Sequence, residues 1–145
     1  MIRTALLWLG LGYTLGGLML SNKGVPWLAS LWILRSMHVH ILMIGWTVQC
    51  ACGVAFWILP RLDAAGSRGD ERSVWLCFVL LNAGVLTAVL YVLLQMLHID
   101  MLWLQALAGV LYACAALAFA HNAWPRVLPF RNLPRPDPAR MQDAG

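Results

Sequence analysis

The feature that most constrains the fold is a long apolar run, since no Asp, Glu, Lys or Arg occurs between Arg35 and Arg61. A helix needs about 20 predominantly apolar residues to cross a bilayer, so this run predicts a membrane span. Two histidines, His38 and His40, lie at the start of the run. An imidazole inside a span is costly, and its ring nitrogens need a partner such as another polar group, a metal or a haem iron. We therefore expect this stretch to carry the function.

Three further apolar runs predict the rest of the fold. Only 11% of the 145 residues are charged, whereas soluble domains have about 25% charged residues. We expect an all-α membrane protein, an up-down bundle of four transmembrane helices that forms a single domain over residues 1–124. The residues after 124 contain repeated prolines, which forbid a regular helix, and 125–145 is therefore expected to be an extended tail. The predicted spans are about 4–20, 34–59, 74–97 and 101–123.

The basic residues predict the orientation of the bundle. If both termini lie on one side, eight arginines fall on that side, and only Lys23 and Arg35 fall on the other. Because cytoplasmic loops carry an excess of Lys and Arg, we expect both termini and the tail to be cytoplasmic, in a multi-pass protein of a bacterial inner membrane. The formal net charge of +4 then requires no nucleic-acid partner, and the expected partner is the lipid bilayer. The eight arginines are Arg3, Arg61, Arg68, Arg72, Arg126, Arg131, Arg135 and Arg140.

Small residues at helical spacing predict close packing between helices. Gly12 and Gly16 form such a pair in the first span, and a longer stripe of small residues follows the fourth span. Packing inside the bundle is the favoured interpretation, and a homodimer seam is the alternative. The stripe consists of Ala106, Gly109, Ala113, Ala116 and Ala120.

The orientation decides which histidines can meet. His38 and His98 are expected near the outer face, whereas His121 is expected at the inner end, about 30 Å away. His38 and His40 are two residues apart on a helix, so they point to nearly opposite sides.

Two different ligands fit the residues around these histidines. The positions seven and fourteen residues after His38 are Gly45 and Cys52, which predicts a narrow face with room for a flat macrocycle. Methionines also accompany the histidines, and a set of thioether and imidazole ligands suits copper. Such a copper site would use His38, His40 and His98 at the outer face. Methionine as a flexible apolar filler is the plainer interpretation.

The second span also resembles part of a known family. Residues 31–61 are similar to the second transmembrane helix of the catalytic subunit of haem-copper oxidases, in the branch that contains nitric oxide reductases and high-affinity cytochrome c oxidases. Small stand-alone four-helix proteins related to that subunit share the pattern. The matching residues are Arg35, His38, Gly45, Trp46, Gly53 and the sequence Leu59-Pro60-Arg61.

This resemblance implies a haem site. His38 would be an axial ligand of a low-spin haem b, and Arg35 would lie near the haem propionates. Gly45 and Trp46 complete the motif, whereas the role of His40 does not transfer, since the family often has asparagine there. His98, at the same membrane level, is the expected second axial ligand. His40, a second copy of the chain, or an open coordination position are the alternatives.

The resemblance also limits the activity that is implied. The family's catalytic subunit has many more spans, and this chain lacks the residues that would match its copper ligands and its high-spin haem ligand. We therefore expect no enzyme activity from the chain alone. Electron transfer, gas or redox sensing, or an accessory role in a respiratory complex is implied, with a quinone or a cytochrome as a partner. A copper-handling or oxidase-assembly protein and a structural bundle without a cofactor stay open as alternatives.

Overall fold

Four long helices make up the structure, a computed structural model that describes residues 1–25, 31–61 and 68–127. Each helix is long and apolar enough to cross a membrane, and the described residues contain no strand. The predicted all-α, four-helix transmembrane fold is therefore confirmed. The helices are α1 (Ile2–Gly24), α2 (Leu31–Ile58), α3 (Glu71–Met96) and α4 (Leu102–Val127).

The helix ends differ from the predicted spans by a few residues. The largest differences are at the ends of α1 and α4: α1 continues to Gly24 instead of residue 20, and α4 continues through Pro125 to Val127 instead of residue 123. The remainder of the predicted tail, residues 128–145, lies outside the described residues, as do residues 62–67 of the loop after α2.

The bundle is built from two helix pairs. Helix α1 packs along α2, α3 packs along α4, and α2 contacts α3 and so joins the pairs. Two apolar clusters fill the interior. One surrounds Tyr91 and Val92 near the turn between α3 and α4, and the other surrounds Cys77 and Leu81 in the first half of α3. We call the end that holds the α3–α4 turn the His98 end, and the opposite end the Arg126 end.

Helix α2 is not a regular α-helix. It opens with a 3-10 turn at Leu31–Ile33, continues as α-helix over Leu34–His40, widens into a π-helix over Ile41–Val48, and returns to α-helix at Gln49–Ile58. The π-helix is a rare structure that is found frequently at functional sites. Its wider turns change which residues share a face after His40.

This change corrects one prediction about α2. Gly45 and Gly53 lie against α1, together with His38. Cys52 instead lines an apolar cavity of about 340 Å³ between α2, α3 and α4. The expectation that Cys52 shares the face of His38 and Gly45 was therefore wrong, because it assumed an unbroken α-helix.

A partly buried network of polar side chains joins α1, α2 and α3. The indole Nε1 of Trp8 donates to Oδ1 of Asn82 at 2.8 Å, and Nδ2 of Asn82 donates to Oε1 of Gln49 at 2.8 Å. Gln49 is fully buried and donates in turn to the carbonyl oxygen of Met1 at 3.1 Å. Because each buried polar group has a partner, this hydrogen-bonded network can hold the three helices in one register.

Arg126 holds the Arg126 end together. Its side chain is only 3% exposed, and its N–H groups donate to the carbonyl oxygens of Phe56, Leu59 and Pro60 at 2.8–3.0 Å. These carbonyls belong to the last turn of α2 and the residues just after it, where free carbonyls carry partial negative charge. A buried cation is thus stabilised by a helix C-terminus, although the sequence placed Arg126 only in the tail.

The small residues of the two expected stripes behave differently. Gly12 is buried against Leu42 and Ile41, and Gly16 lies against His38, as expected for packing within the bundle. All five residues of the α4 stripe are exposed, and a Cβ placed on Gly109 would meet no described atom of another helix within 4 Å. The favoured interpretation, that the α4 stripe packs inside this bundle, was therefore wrong, and the face that it forms is open.

Candidate functional site

His38 lies against α1 at a place where α1 has no side chains. Its Nδ1 is 2.9 Å from the carbonyl oxygen of Gly12. A Cβ added to Gly16, one turn further along α1, would lie 2.8 Å from Cε1 of His38. The Gly12/Gly16 pair therefore provides the space in which the half-buried imidazole sits.

This contact decides which nitrogen of His38 carries the proton. A carbonyl oxygen can only accept a hydrogen bond, so Nδ1 must be the donor. In the neutral ring the other nitrogen, Nε2, then holds a lone pair. An imidazole whose Nδ1–H is held by a backbone carbonyl is the arrangement that orients histidine ligands in metal sites. In the neutral form of His38 the lone pair is therefore on Nε2.

The face of α2 below His38 is covered by protein. The indole of Trp8 lies directly on Gly45, since a Cβ at Gly45 would be 2.8 Å from Trp8 Cγ. The narrow slot that the sequence predicted is therefore filled by an α1 side chain, and Gly45 serves helix packing. Since Trp8 covers Gly45, the α1-facing surface below His38 has no room for a flat ring.

His40 faces a different helix, as the helical spacing predicted. Its ring stacks on that of Tyr112 in α4, with the centroids 5.9 Å apart, and its Nδ1 is 3.3 Å from the Tyr112 hydroxyl. The Tyr112 ring in turn packs directly on Gly84 of α3. His40 therefore belongs to a contact between α2, α3 and α4, and His38 belongs to the contact between α1 and α2.

His98 occupies the turn between α3 and α4. It is exposed and has a φ of 59°, a left-handed conformation that favours glycine and that closes the end of a helix. Its neighbours in a small polar recess include Ile33, Gln95 and Asp100. His98 thus lies beside Ile33 at the start of α2. Ile33 is five residues before His38, but the His38 ring faces α1. The two residues share one end of the bundle but contact different neighbours.

The other residues of the predicted motif lie on α2 before and after His38. Arg35 is exposed on the turn before His38, and Trp46 is half-buried beside Gly45. Among the residues that the structure describes, no group of three or more His, Cys, Asp or Glu side chains could together hold a metal ion. A metal at His38 would therefore depend on a ligand set other than a cluster of these side chains.

No protein-family model, no curated protein and no solved structure matches this chain. The similarity of residues 31–61 to the oxidase helix therefore stays a prediction.

His121 lies far from these histidines, at the Arg126 end. Its Nδ1 is 3.3 Å from the Ser73 hydroxyl, and Ser73 donates to Oδ2 of Asp70 at 2.8 Å. The Ser73 hydroxyl and the Arg72 amide, which both donate to Asp70, hold the pKa of that carboxyl below its usual value. This cluster caps the N-terminus of α3. His121 therefore takes part in a helix-end contact and not in the His38 site.

Sequence reasoning missed three parts of this arrangement. It treated Gly12 and Gly16 as general packing residues, whereas they seat the His38 ring. It gave no partner to His40, which stacks on Tyr112. It also left Gln49 unassigned, although an amide in the middle of an apolar run is itself a signal of a buried polar contact.

Proposed function

We propose that this chain is a haem b-binding integral membrane protein in which Nε2 of His38 is an axial ligand. The single observation that carries the proposal is the 2.9 Å contact between His38 Nδ1 and the Gly12 carbonyl. This contact holds the ring in the tautomer that leaves Nε2 free to coordinate iron. It also limits rotation of the ring, so the ligand is oriented before the metal binds.

The position of Arg35 supports the same site. Arg35 precedes His38 by three residues, which places it about one turn further toward the His98 end on the same helix. Its exposed guanidinium can pair with a carboxylate through two parallel hydrogen bonds. In the proposed complex Arg35 binds a haem propionate, and His38 binds the iron. A bound haem supplies one-electron chemistry, and the protein sets its potential through the axial ligands.

The haem must lie away from the α1 contact, because Trp8 fills the surface over Gly45. The second axial ligand therefore comes from outside the contact between α1 and α2. His98 is the internal choice because it lies at the same end of the bundle beside Ile33. A second copy of the chain is the external choice, and the exposed stripe of small residues on α4 offers a face for it. We place the protein in a bacterial inner membrane with both termini in the cytoplasm, as an electron-transfer, sensing or accessory component of a respiratory complex.

Haem content measured per chain tests the proposal. We expect wild-type protein, expressed with ample haem, to copurify with haem b, and His38→Ala to lose it. His121→Ala is the matched control, because His121 lies at the other end and should keep the haem. Copper bound without haem would instead support the copper-handling alternative. Equal haem content in the His38→Ala and wild-type proteins would refute His38 as the ligand.

A further inference from the structure

A cleft at the Arg126 end has the chemistry of a lipid headgroup site. It has a volume of about 600 Å³ and lies between the start of α1, the end of α2 and the start of α3. Arg3 and Arg68 line it together with one acidic residue, Glu71, and two tryptophans, Trp57 and Trp75. From these observations we propose that the cleft binds the phosphate group of an anionic phospholipid.

The guanidinium of Arg68 is held in position by aromatic rings. Its Cζ lies 3.9 Å from the centroid of the Trp57 ring, a distance at which the cation is attracted to the ring face. Stacking occupies a face of the planar guanidinium and leaves its edge, where the N–H groups lie, for other partners. A phosphate takes two such N–H groups at once, which is why arginine is preferred at phosphate sites.

The charge around the cleft favours an anion. Two arginines line the cleft against one glutamate. Arg126 adds a third guanidinium close by, since its Cζ is 5.3 Å from the centroid of Phe56 and that of Arg68 is 5.9 Å from the same centroid. Arg126 is occupied by backbone carbonyls and cannot itself reach a ligand. It therefore adds positive potential that an anion in the cleft would relieve.

The position of the cleft at the end of the bundle and the residues that line it favour a lipid over a soluble anion. Trp57 and Trp75 are 62% and 66% exposed at the same end of the bundle, and tryptophan rings settle at the interface between headgroups and acyl chains. The remaining wall is largely apolar, with side chains such as Val74 and Phe78. A phospholipid satisfies both parts, because its phosphate meets the arginines while its glycerol and acyl chains lie on the apolar wall. Basic pockets between transmembrane helices bind anionic headgroups in this way.

Lipid titration of the full chain in detergent, followed by native mass spectrometry, tests the proposal. We expect phosphatidylglycerol to bind more tightly than phosphatidylcholine. Each arginine near a membrane surface adds attraction worth about a fivefold change in affinity, so the Arg3→Gln/Arg68→Gln double variant should lose roughly 30-fold. Glu71→Gln removes the one negative charge in the cleft and should bind phosphatidylglycerol more tightly than wild type. If the double variant does not fold, Arg3→Gln alone should still lose about fivefold.

The matched control is the Lys23→Gln/Arg72→Gln double variant, which loses the same charge from residues that do not line the cleft. It should lose much less affinity for phosphatidylglycerol than the Arg3/Arg68 variant, because neither residue lines the cleft. Equal loss in this control would show that net charge, and not the cleft, attracts the lipid, and would overturn the proposal. Full retention by the Arg3/Arg68 variant would overturn it as well. Displacement of phosphatidylglycerol by millimolar inorganic phosphate would show that the cleft takes a free anion instead of a lipid.

Discussion

The Nδ1 atom of His38 lies 2.9 Å from the carbonyl oxygen of Gly12, so an imidazole near the start of α2 is tied to the backbone of α1. The contact is possible because Gly16, one turn along, has no side chain to fill the space of the ring. A histidine that would be costly in lipid is thereby given one partner, and its second nitrogen is left for another. The packing of α1 on α2 therefore also fixes the orientation of the His38 ring.

The contact between His38 and Gly16 predicts that alanine has different effects at two adjacent glycines. Gly16→Ala should displace the imidazole, because the new Cβ would lie 2.8 Å from His38 Cε1. Gly17→Ala is the control, since no atom lies within 4 Å of a Cβ at that position. We expect haem content to fall or the absorption bands to shift in Gly16→Ala only. Identical spectra for the two variants would contradict the proposed seat.

A second pair of glycines tests the packing of the bundle. Gly84→Ala should destabilise the protein by roughly 1–3 kcal/mol, because the added methyl group overpacks against the Tyr112 ring. Gly109→Ala should be neutral or should stabilise by up to about 1 kcal/mol, because alanine favours a helix and the position is open. Thermal unfolding in detergent, followed by circular dichroism, measures both. A Gly109→Ala variant that unfolds as readily as Gly84→Ala would show that the α4 stripe is packed after all.

The Arg126 contact predicts a large effect of a conservative change. Arg126 also donates to Oδ1 of Asn122 at 3.2 Å. Arg126→Lys keeps the charge, but one ammonium group cannot reach three carbonyl oxygens and Asn122 together, so several acceptors lose their donor. We expect a loss of roughly 2–4 kcal/mol of stability, measured by unfolding in detergent. Arg72→Lys, at an exposed position of the same end, should change little. Comparable stability of the two variants would show that the hydrogen bonds of Arg126 to the end of α2 contribute little to stability.

The lowered pKa of Asp70 predicts that the stability of the protein depends on pH. The Ser73 hydroxyl and the Arg72 amide hold the folded-state pKa of Asp70 below its usual value. The stabilisation is therefore fully present above the ordinary aspartate pKa, and it is lost as the pH falls through the lowered folded-state pKa. We expect α3 to become less stable on acidification, and Asp70→Asn, which still caps the helix, to show a weaker dependence. Thermal unfolding followed as a function of pH would detect the difference, and parallel curves for the two proteins would exclude this role.

The sequence predicted the four helices because long apolar runs are sufficient evidence for spans. It also predicted that His38 and His40 face apart, which follows from helical geometry alone. It could not predict the π-helix over Ile41–Val48, since apolar periodicity does not show where a helix widens, and this error placed Cys52 on the wrong face. The open α4 stripe was missed for a related reason, because small residues favour close approach without specifying the partner.

Partners in three dimensions were the part that the sequence could not supply. Gly12, Trp8 and Tyr112 contact the functional stretch from other helices, at separations of 26 to 72 residues along the chain. The amides of Gln49 and Asn82 were visible in the sequence as polar groups in apolar runs. Their pairing with each other required the packing of α2 on α3.

The absorption spectrum of the purified protein, recorded oxidised and then reduced, is the decisive experiment for haem binding at His38. We expect a Soret band that shifts on reduction, with the α and β bands of a b-type haem, and we expect their loss in His38→Ala. A protein that is folded by circular dichroism and stays without a Soret band when expressed with ample haem would contradict the assignment of His38 as a haem ligand.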